Sequence, residues 1–208
     1  MALHRSPVTA ETLEMLLKSA HNISTLFYDC YLPSTSSPLD LNVLKQALQH
    51  VHATLTHLTI RYDIFANEAL DASSLACVVT GTLGSLASFT SLTELHIPLG
   101  VLFGQVRPSE APTLASVLPS RLQRLTISDD LWEFDVSYQW IEDGRIMAIL
   151  AAFLEGVPGE EPSWKKATPE LRVFVLDMRE RGWILQLSKE DTAALRRMGK
   201  ADGLSVRF

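Results

Sequence analysis

Apolar residues recur along this chain in one six-residue pattern, L-x-x-L-x-L with substitutions, and five segments carry it. They are Ile23-x-x-Leu26-x-Tyr28, Leu55-x-x-Leu58-x-Ile60, Leu92-x-x-Leu95-x-Ile97, Leu122-x-x-Leu125-x-Ile127 and Leu171-x-x-Phe174-x-Leu176. Their starts lie 32, 37, 30 and 49 residues apart, so the repeat is irregular and an insertion precedes its last copy. A period in this range predicts a solenoid. A unit that cannot bury its own apolar side must stack on its neighbours and share one continuous core with them.

The segments between the repeats are set by helical spacing and by breakers. Leu13, Leu16 and Leu17 predict a helix from Thr9 to about Asn22, capped by Thr9, with Glu11 and Glu14 near its positive end. A strand over Ile23 to Tyr28 follows, and the Ser/Thr-rich stretch from Pro33 to Pro38 is a loop. Asp40 is placed to cap a second helix with Leu41, Leu44, Ala47, Leu48 and Val51 on one stripe. The second strand, Thr54 to Tyr62, interleaves Thr56, His57, Thr59 and Arg61 with apolar positions, and a short helix is expected near Leu75 to Val79. Leu92 to Ile97 is the third strand, ended by Pro98. Thr113 to Leu118 is a short helix stopped by Pro119, and Leu122 to Ile127 is the fourth strand. The insertion holds an apolar helix from about Arg145 to Leu154 and a Gly/Pro/Glu-rich loop from Gly156 to Pro169. After the strand at Leu171 to Leu176 come a helix from Lys189 to Met198, ended by Gly199, and an edge strand at Leu204 to Phe208. Alternating helices and strands joined by connections of this length predict an α/β protein with a parallel sheet. The expected architecture is a leucine-rich-repeat-like solenoid of five to six strands, with the sheet on the concave side and helices on the convex side. A doubly wound fold ranks second, because the strands share a position-specific motif and lack the continuous apolar runs of a sheet buried on both faces. Residues 1–208 read as one domain with an insertion at about 133–169.

Charge narrows the partners. A formal net charge of −6, with Lys and Arg scattered, argues against a nucleic-acid binder, and the dense pairs Lys165-Lys166 and Arg196-Arg197 read as solvated charges. Glu11, Glu14 and Lys18 interrupt the first apolar stretch, so the sequence offers neither a signal peptide nor a membrane span. An intracellular protein, cytoplasmic or nuclear, is expected. Cys30 and Cys77 then stay reduced and read as small core residues.

The segments Leu55 to Asp63, Phe89 to Pro98 and Leu118 to Trp132 (LPSRLQRLTISDDLW) resemble the leucine-rich-repeat family, and more closely the irregular leucine-rich regions of fungal F-box-type proteins. The resemblance extends loosely over nearly the whole chain. It implies binding of partner proteins, a role that family often plays as the substrate-recognition part of a ubiquitin ligase. The chain departs from the pattern in two ways: the stretch before the first repeat is too short for an F-box, and the Asn that often closes a leucine-rich strand is missing. That leaves either a truncated piece or a stand-alone protein that uses the solenoid for another purpose.

In such a strand the motif's apolar positions point into the core, and the third and fifth residues face the opposite side. Across the sheet these make one row of Thr25, His57, Glu94, Arg124 and Val173 and a second of Phe27, Thr59, His96, Thr126 and Val175. With parallel strands about 4.8 Å apart, His57, Glu94 and Arg124 become lateral neighbours, and His96 sits two residues along from Glu94. As chemistry, that set offers a histidine held by a carboxylate for general acid/base work, with Arg124 to attract an anion. As structure, it is a cross-strand ladder of charges. His57, Glu94 and His96 also make a two-histidine, one-carboxylate set, but neighbours on an open sheet seldom converge enough to share an ion, and no metal is expected.

A second group, Asp29, Tyr31, Arg61, Asp63, Ser128, Asp129, Asp130 and Trp132, falls where the strands exit, and Phe27, Arg61, Asp63, Arg124, Asp129 and Trp132 are the candidate binding residues. Asp129 and Asp130 point in opposite directions if the strand continues, so they read as turn-capping residues rather than a concerted carboxylate pair. Trp132, Phe134, Tyr138 and Trp140 crowd the insertion and suit either its core or an apolar small molecule. No phosphate loop, nucleophile elbow or His/Cys metal spacing occurs, and no cofactor is expected. Two functions remain open: a protein-interaction module working through the concave face, or a cofactor-independent enzyme, a cyclase or isomerase of fungal secondary metabolism, built on the same residues. The apolar end at Leu204 to Phe208 would be a free edge, and a homodimer burying it is a further expectation.

Overall fold

A computed structural model describes residues 1–33, 39–65, 79–104, 110, 112–130, 145–155, 162–177 and 188–208. Its centre is one open, parallel sheet of seven strands: β1 (Ala2–Ser6), β2 (Thr25–Pro33), β4 (His57–Phe65), β6 (Glu94–Pro98), β7 (Arg124–Ser128), β8 (Val173–Asp177) and β9 (Ser205–Arg207). Two short strands, β3 (Leu39–Asp40) and β5 (Val79–Thr80), pair separately. The strands lie side by side in chain order with no reversal, so the sheet has no topological switch point of the doubly wound kind. The five to six strands expected become seven because β1, which carries no copy of the repeat, pairs with β2 at the front edge.

The helices are α1 (Ala10–Ser19), α2 (Leu41–Gln49), α3 (Leu99–Phe103), α4 (Leu114–Val117), α5 (Arg145–Leu154), α6 (Ser163–Ala167) and α7 (Lys189–Ala201). Local chemistry fixes their starts. The Thr9 hydroxyl accepts from the Thr12 amide, the Asp40 carboxylate accepts from Asn42 and Val43, and Ser188 with Asp191 forms a reciprocal capping box. The motif positions Leu26, Tyr28, Leu58, Ile60, Leu95, Ile97, Leu125, Ile127, Phe174 and Leu176 are all buried. They join Leu13 and Leu17 of α1, Leu44 and Leu48 of α2, Leu150 and Phe153 of α5 and Leu195 of α7 in one hydrophobic cluster. Sheet and helices thus share one core, and burial at about 25 cal/mol per Å² of apolar surface stabilises it as a whole.

Several expectations need correction. Gly199 does not end the last helix, which runs on to Ala201. A Cβ there would meet Val206 Cγ2 at 2.3 Å, so the glycine lets α7 approach β9 closely. The helix stops at Gly203, whose φ of +79° is the left-handed turn, with Leu204 N–H donating to Gly199 O. The loop expected from Gly156 to Pro169 contains α6, fastened to the end of α5 by the Ser163 hydroxyl, which donates to the carbonyls of Ala152 and Phe153. Strand β2 continues past Tyr28 to Pro33, paired residue for residue with β4. Of the helix expected near Leu75 to Val79, only Val79 lies within the described residues, and it belongs to β5. Helix α3 was not expected. It begins directly after Pro98 and closes at Gly104 (φ +62°), packed so tightly that a Cβ there would lie 1.9 Å from Gly81 O.

Candidate functional site

The strand register places the polar positions on the face opposite the buried motif residues. Thr25, His57, Glu94, Arg124, Val173 and Ser205 form one lateral row, and Phe27, Thr59, His96, Thr126, Val175 and Arg207 form the next. A third row, at the strand exits, brings Ser128 beside Asp177 and Asp29 beside Arg61. Exposure falls along the strands: Arg124, Thr126 and Ser128 of β7 are half-buried, 9 % and 0 % exposed in turn. Along β7 the face is thus more open at its entrance than at its exit, whereas Asp177 at the exit of β8 keeps 38 % exposure.

At the open end His57 Nε2 lies 3.6 Å from Glu94 Oε1, both side chains about half exposed. The Thr56 hydroxyl sits 2.8 Å from His57 Nδ1 and donates its one proton to Ser24 O, which leaves its lone pair to accept from His57 Nδ1–H. Arg124 is next in the row, yet no ion pair joins it to Glu94 among the described residues. The first strand edge adds an aromatic patch: His4 packs on Phe27 with centroids 4.4 Å apart, and the Arg5 guanidinium lies 5.2 Å over the Tyr31 ring.

His96 does not join Glu94. It crosses β7 to reach Asp177, with Nε2 3.6 Å from Oδ2. Arg61 reaches the same oxygen from the other side, at 3.6 Å, and places its Nε 3.7 Å from Asp130 Oδ2. Asp130 is the least expected member. Its side chain is fully buried, and Oδ2 accepts the Tyr62 amide at 3.1 Å. The reason lies in the sheet: β4 pairs with β6 only as far as Thr59 and His96, because β6 ends at Pro98 and turns into α3. Beyond that point the β4 edge needs a substitute acceptor, and the Asp130 carboxylate supplies it. Asp130 thus makes a contact across the sheet, and the turn that it was expected to cap runs on outside the described residues. Asp129 stays on the strand-exit line, its amide donating to Asp177 O.

Asp177 is the functional candidate that reasoning from the repeat missed. It lies one residue beyond the motif of the last copy, at the register position of Ser128, and only the pairing of β7 with β8 brings it to His96 and Arg61. Ser128 itself is fully buried, and its Oγ has no hydrogen-bond partner among the described residues, so it forms no nucleophile–base pair with His96. Of the other expected residues, Trp132 lies outside the described residues, as do Phe134, Tyr138 and Trp140, and Asp63 is described in its backbone alone, opposite Tyr31. Among the described residues no three His, Cys, Asp or Glu side chains converge so as to hold a metal ion. On the core side, burial drives the Tyr28 hydroxyl well above the usual tyrosine range and the Cys30 thiol up to about 11, so both stay protonated and neutral.

Two cavities lie away from these rows. One of 170 Å³ is lined by Leu114 of α4, Ile149 and Phe153 of α5 and Ser163 of α6, and one of 320 Å³ by Glu155, Arg197, Met198 and Asp202. Among the described residues no helix is long and apolar enough to cross a membrane. No protein-family model matches this chain, and no curated protein does.

Proposed function

We propose that this chain is a leucine-rich-repeat-type protein-interaction module, a short solenoid whose concave sheet face contacts a partner protein. The observation that carries the reading is the register: it sets the third and fifth motif positions of neighbouring strands in line, and the first row places His57 and Glu94, both about half exposed, beside the half-buried Arg124. A row of mixed, solvent-exposed charge across a rigid sheet suits recognition by complementary charge, which sets specificity and on-rate more than affinity. Size limits the contact. Six strands at about 4.8 Å and four residues at about 3.3 Å give roughly 400 Å² of flat face. A stable interface takes about 800 Å² per partner, so a tight partner must also touch the strand-exit side, where the sequence puts Asp129 and Trp132. Affinity capture with the wild type and with Glu94→Arg and Arg124→Glu tests the reading. A partner held by the wild type and lost from the folded charge-reversed forms supports it, and partners that ignore the reversals refute it.

One observation favours the second reading, a cofactor-independent cyclase or isomerase. His96 and Asp177 form a half-buried histidine–carboxylate pair beside Arg61 at the carboxyl ends of parallel strands. There a histidine can move a proton while the arginine stabilises developing negative charge. Loss of a chemical step in a folded His96→Ala protein would support this reading.

A further inference from the structure

We infer that the 170 Å³ cavity among α4, α5 and α6 binds a compact, uncharged, apolar molecule about the size of toluene. The site lies on the helical side of the sheet, away from the polar rows. It therefore goes beyond the interaction reading and does not depend on it.

The cavity is graded in depth. Its floor is Leu114 of α4 and Phe153 of α5, both buried, and the Phe153 ring packs in turn on the motif residue Phe174, with centroids 6.5 Å apart. Ile149 forms a half-buried wall, and Thr113 and Ala152 stand at the mouth, both exposed. The remaining side is α6, whose Ser163 hydroxyl donates to the carbonyls of Ala152 and Phe153. That contact fastens α6 to α5 and holds the walls at their spacing. It also commits the Ser163 proton to the backbone, so Ser163 offers the cavity no donor.

Helix α5 supplies an independent sign. From Ile146 to Leu154 it carries no polar side chain. A helix that is apolar on every side is normally buried on every side. Yet Ala148 and Ala152 are exposed and Ile149 is only half-buried, so the side of α5 that fronts the cavity is as apolar as the side that faces the core and stays open to solvent.

Size and chemistry set what fits. Protein interiors hold few voids larger than a water molecule, so a space of 170 Å³ is more than a packing defect. A dry cavity of about 150 Å³ lined by aliphatic and aromatic side chains takes up benzene, and this one accommodates a six-membered ring with roughly one or two further carbons. A drug-sized ligand needs about 300 Å³ or more and is excluded. None of the described residues that line the cavity is ionisable, so a charged ligand would lose its hydration without gaining a partner.

The test is an NMR titration of the full chain carrying ¹³C-labelled methyl groups, reading the methyls of Leu114 and Ile149. The probes are toluene and benzoate, which share a ring and differ in charge. The expected result is a saturable shift of both residues with toluene and binding at least tenfold weaker for benzoate. Ala152→Leu and Thr113→Leu narrow the mouth from its two sides. Both positions are exposed, and Thr113 makes no side-chain capping bond to α4, so neither change should lower the melting temperature. Each should weaken toluene binding at least tenfold, and either variant suffices if the other fails to fold. Toluene shifts that stay linear with concentration, benzoate that binds as tightly as toluene, or undiminished binding by a folded variant would each overturn the site.

Discussion

Replacing Arg61 by methionine removes the cation that faces Asp130 while keeping most of the side chain's apolar stem. Asp130 has no exposed side-chain surface, and its Oδ2 accepts the Tyr62 amide at 3.1 Å. Breaking a buried ion pair by removing one partner costs about 3–5 kcal/mol, because the remaining charge is left uncompensated. Arg61 is 23 % exposed, so water can partly screen Asp130 once the cation has gone, and the cost falls to the bottom of that range or just below it, about 2–3 kcal/mol. For a chain of this length each kcal/mol moves the melting temperature by about 2–4 °C, which sets the expected fall at roughly 4–12 °C. Urea denaturation should show the midpoint falling by about 1 M with an unchanged slope. The decisive comparison is the double variant. Asp130→Asn keeps an oxygen for the Tyr62 amide and removes the charge, so Arg61→Met with Asp130→Asn should recover most of the loss, a coupling of more than 1 kcal/mol. If Arg61→Met costs less than about 0.5 kcal/mol, or if Asp130→Asn rescues nothing, then Asp130 is not held by Arg61 and the account of the strand-exit cluster fails.

The exposed pair should behave differently: Glu94→Ala is expected to cost no more than about 1 kcal/mol in urea denaturation, and a larger loss would show that the first polar row is structural. Gly104→Ala combines a positive φ with a Cβ placed 1.9 Å from Gly81 O, so it should destabilise by more than 2 kcal/mol or give no soluble folded protein, and a wild-type melting curve would contradict the packing of α3 against β5. The Cys30 thiol is raised by burial from 9.0 to about 11, an effect only partly opposed by its hydrogen bond with Tyr28. The unfolded chain therefore loses this proton before the folded one, so the stabilising contribution is complete below pH 9 and is lost as pH rises through 11. Chemical denaturation between pH 8 and 11 should follow that course, with Tyr28 adding to the loss at the alkaline end, and Cys30 should resist alkylation at pH 8 until the protein unfolds.

Much of the scaffold is legible in the residues alone. The L-x-x-L-x-L spacing is a period-two signal flanked by helical stripes, both produced locally by backbone geometry, so the strands, the Thr9 and Asp40 caps and helix α5 follow from neighbours within a few residues. The lateral rows follow too. Identical motifs stacked in parallel can hold their shared core only in one register, since a slip of one residue would turn each apolar set outward. What the tertiary structure decided are contacts between residues far apart in the chain. Thr59 and His96 end the β4–β6 ladder because Pro98 cannot donate and α3 begins there, and that departure recruits Asp130, distant in sequence, to the Tyr62 amide. Asp177 lies outside the repeat motif, and nothing within its own segment marks it as the carboxylate that His96 and Arg61 share. Gly199 reads as a helix end by its residue type, but β9 packs against α7 so closely that only a residue without a side chain fits inside the helix. Periodicity specifies which face a side chain takes, because the backbone repeats it at every turn and pleat. Which partner meets it there depends on where neighbouring strands stop, and only the assembled sheet determines that.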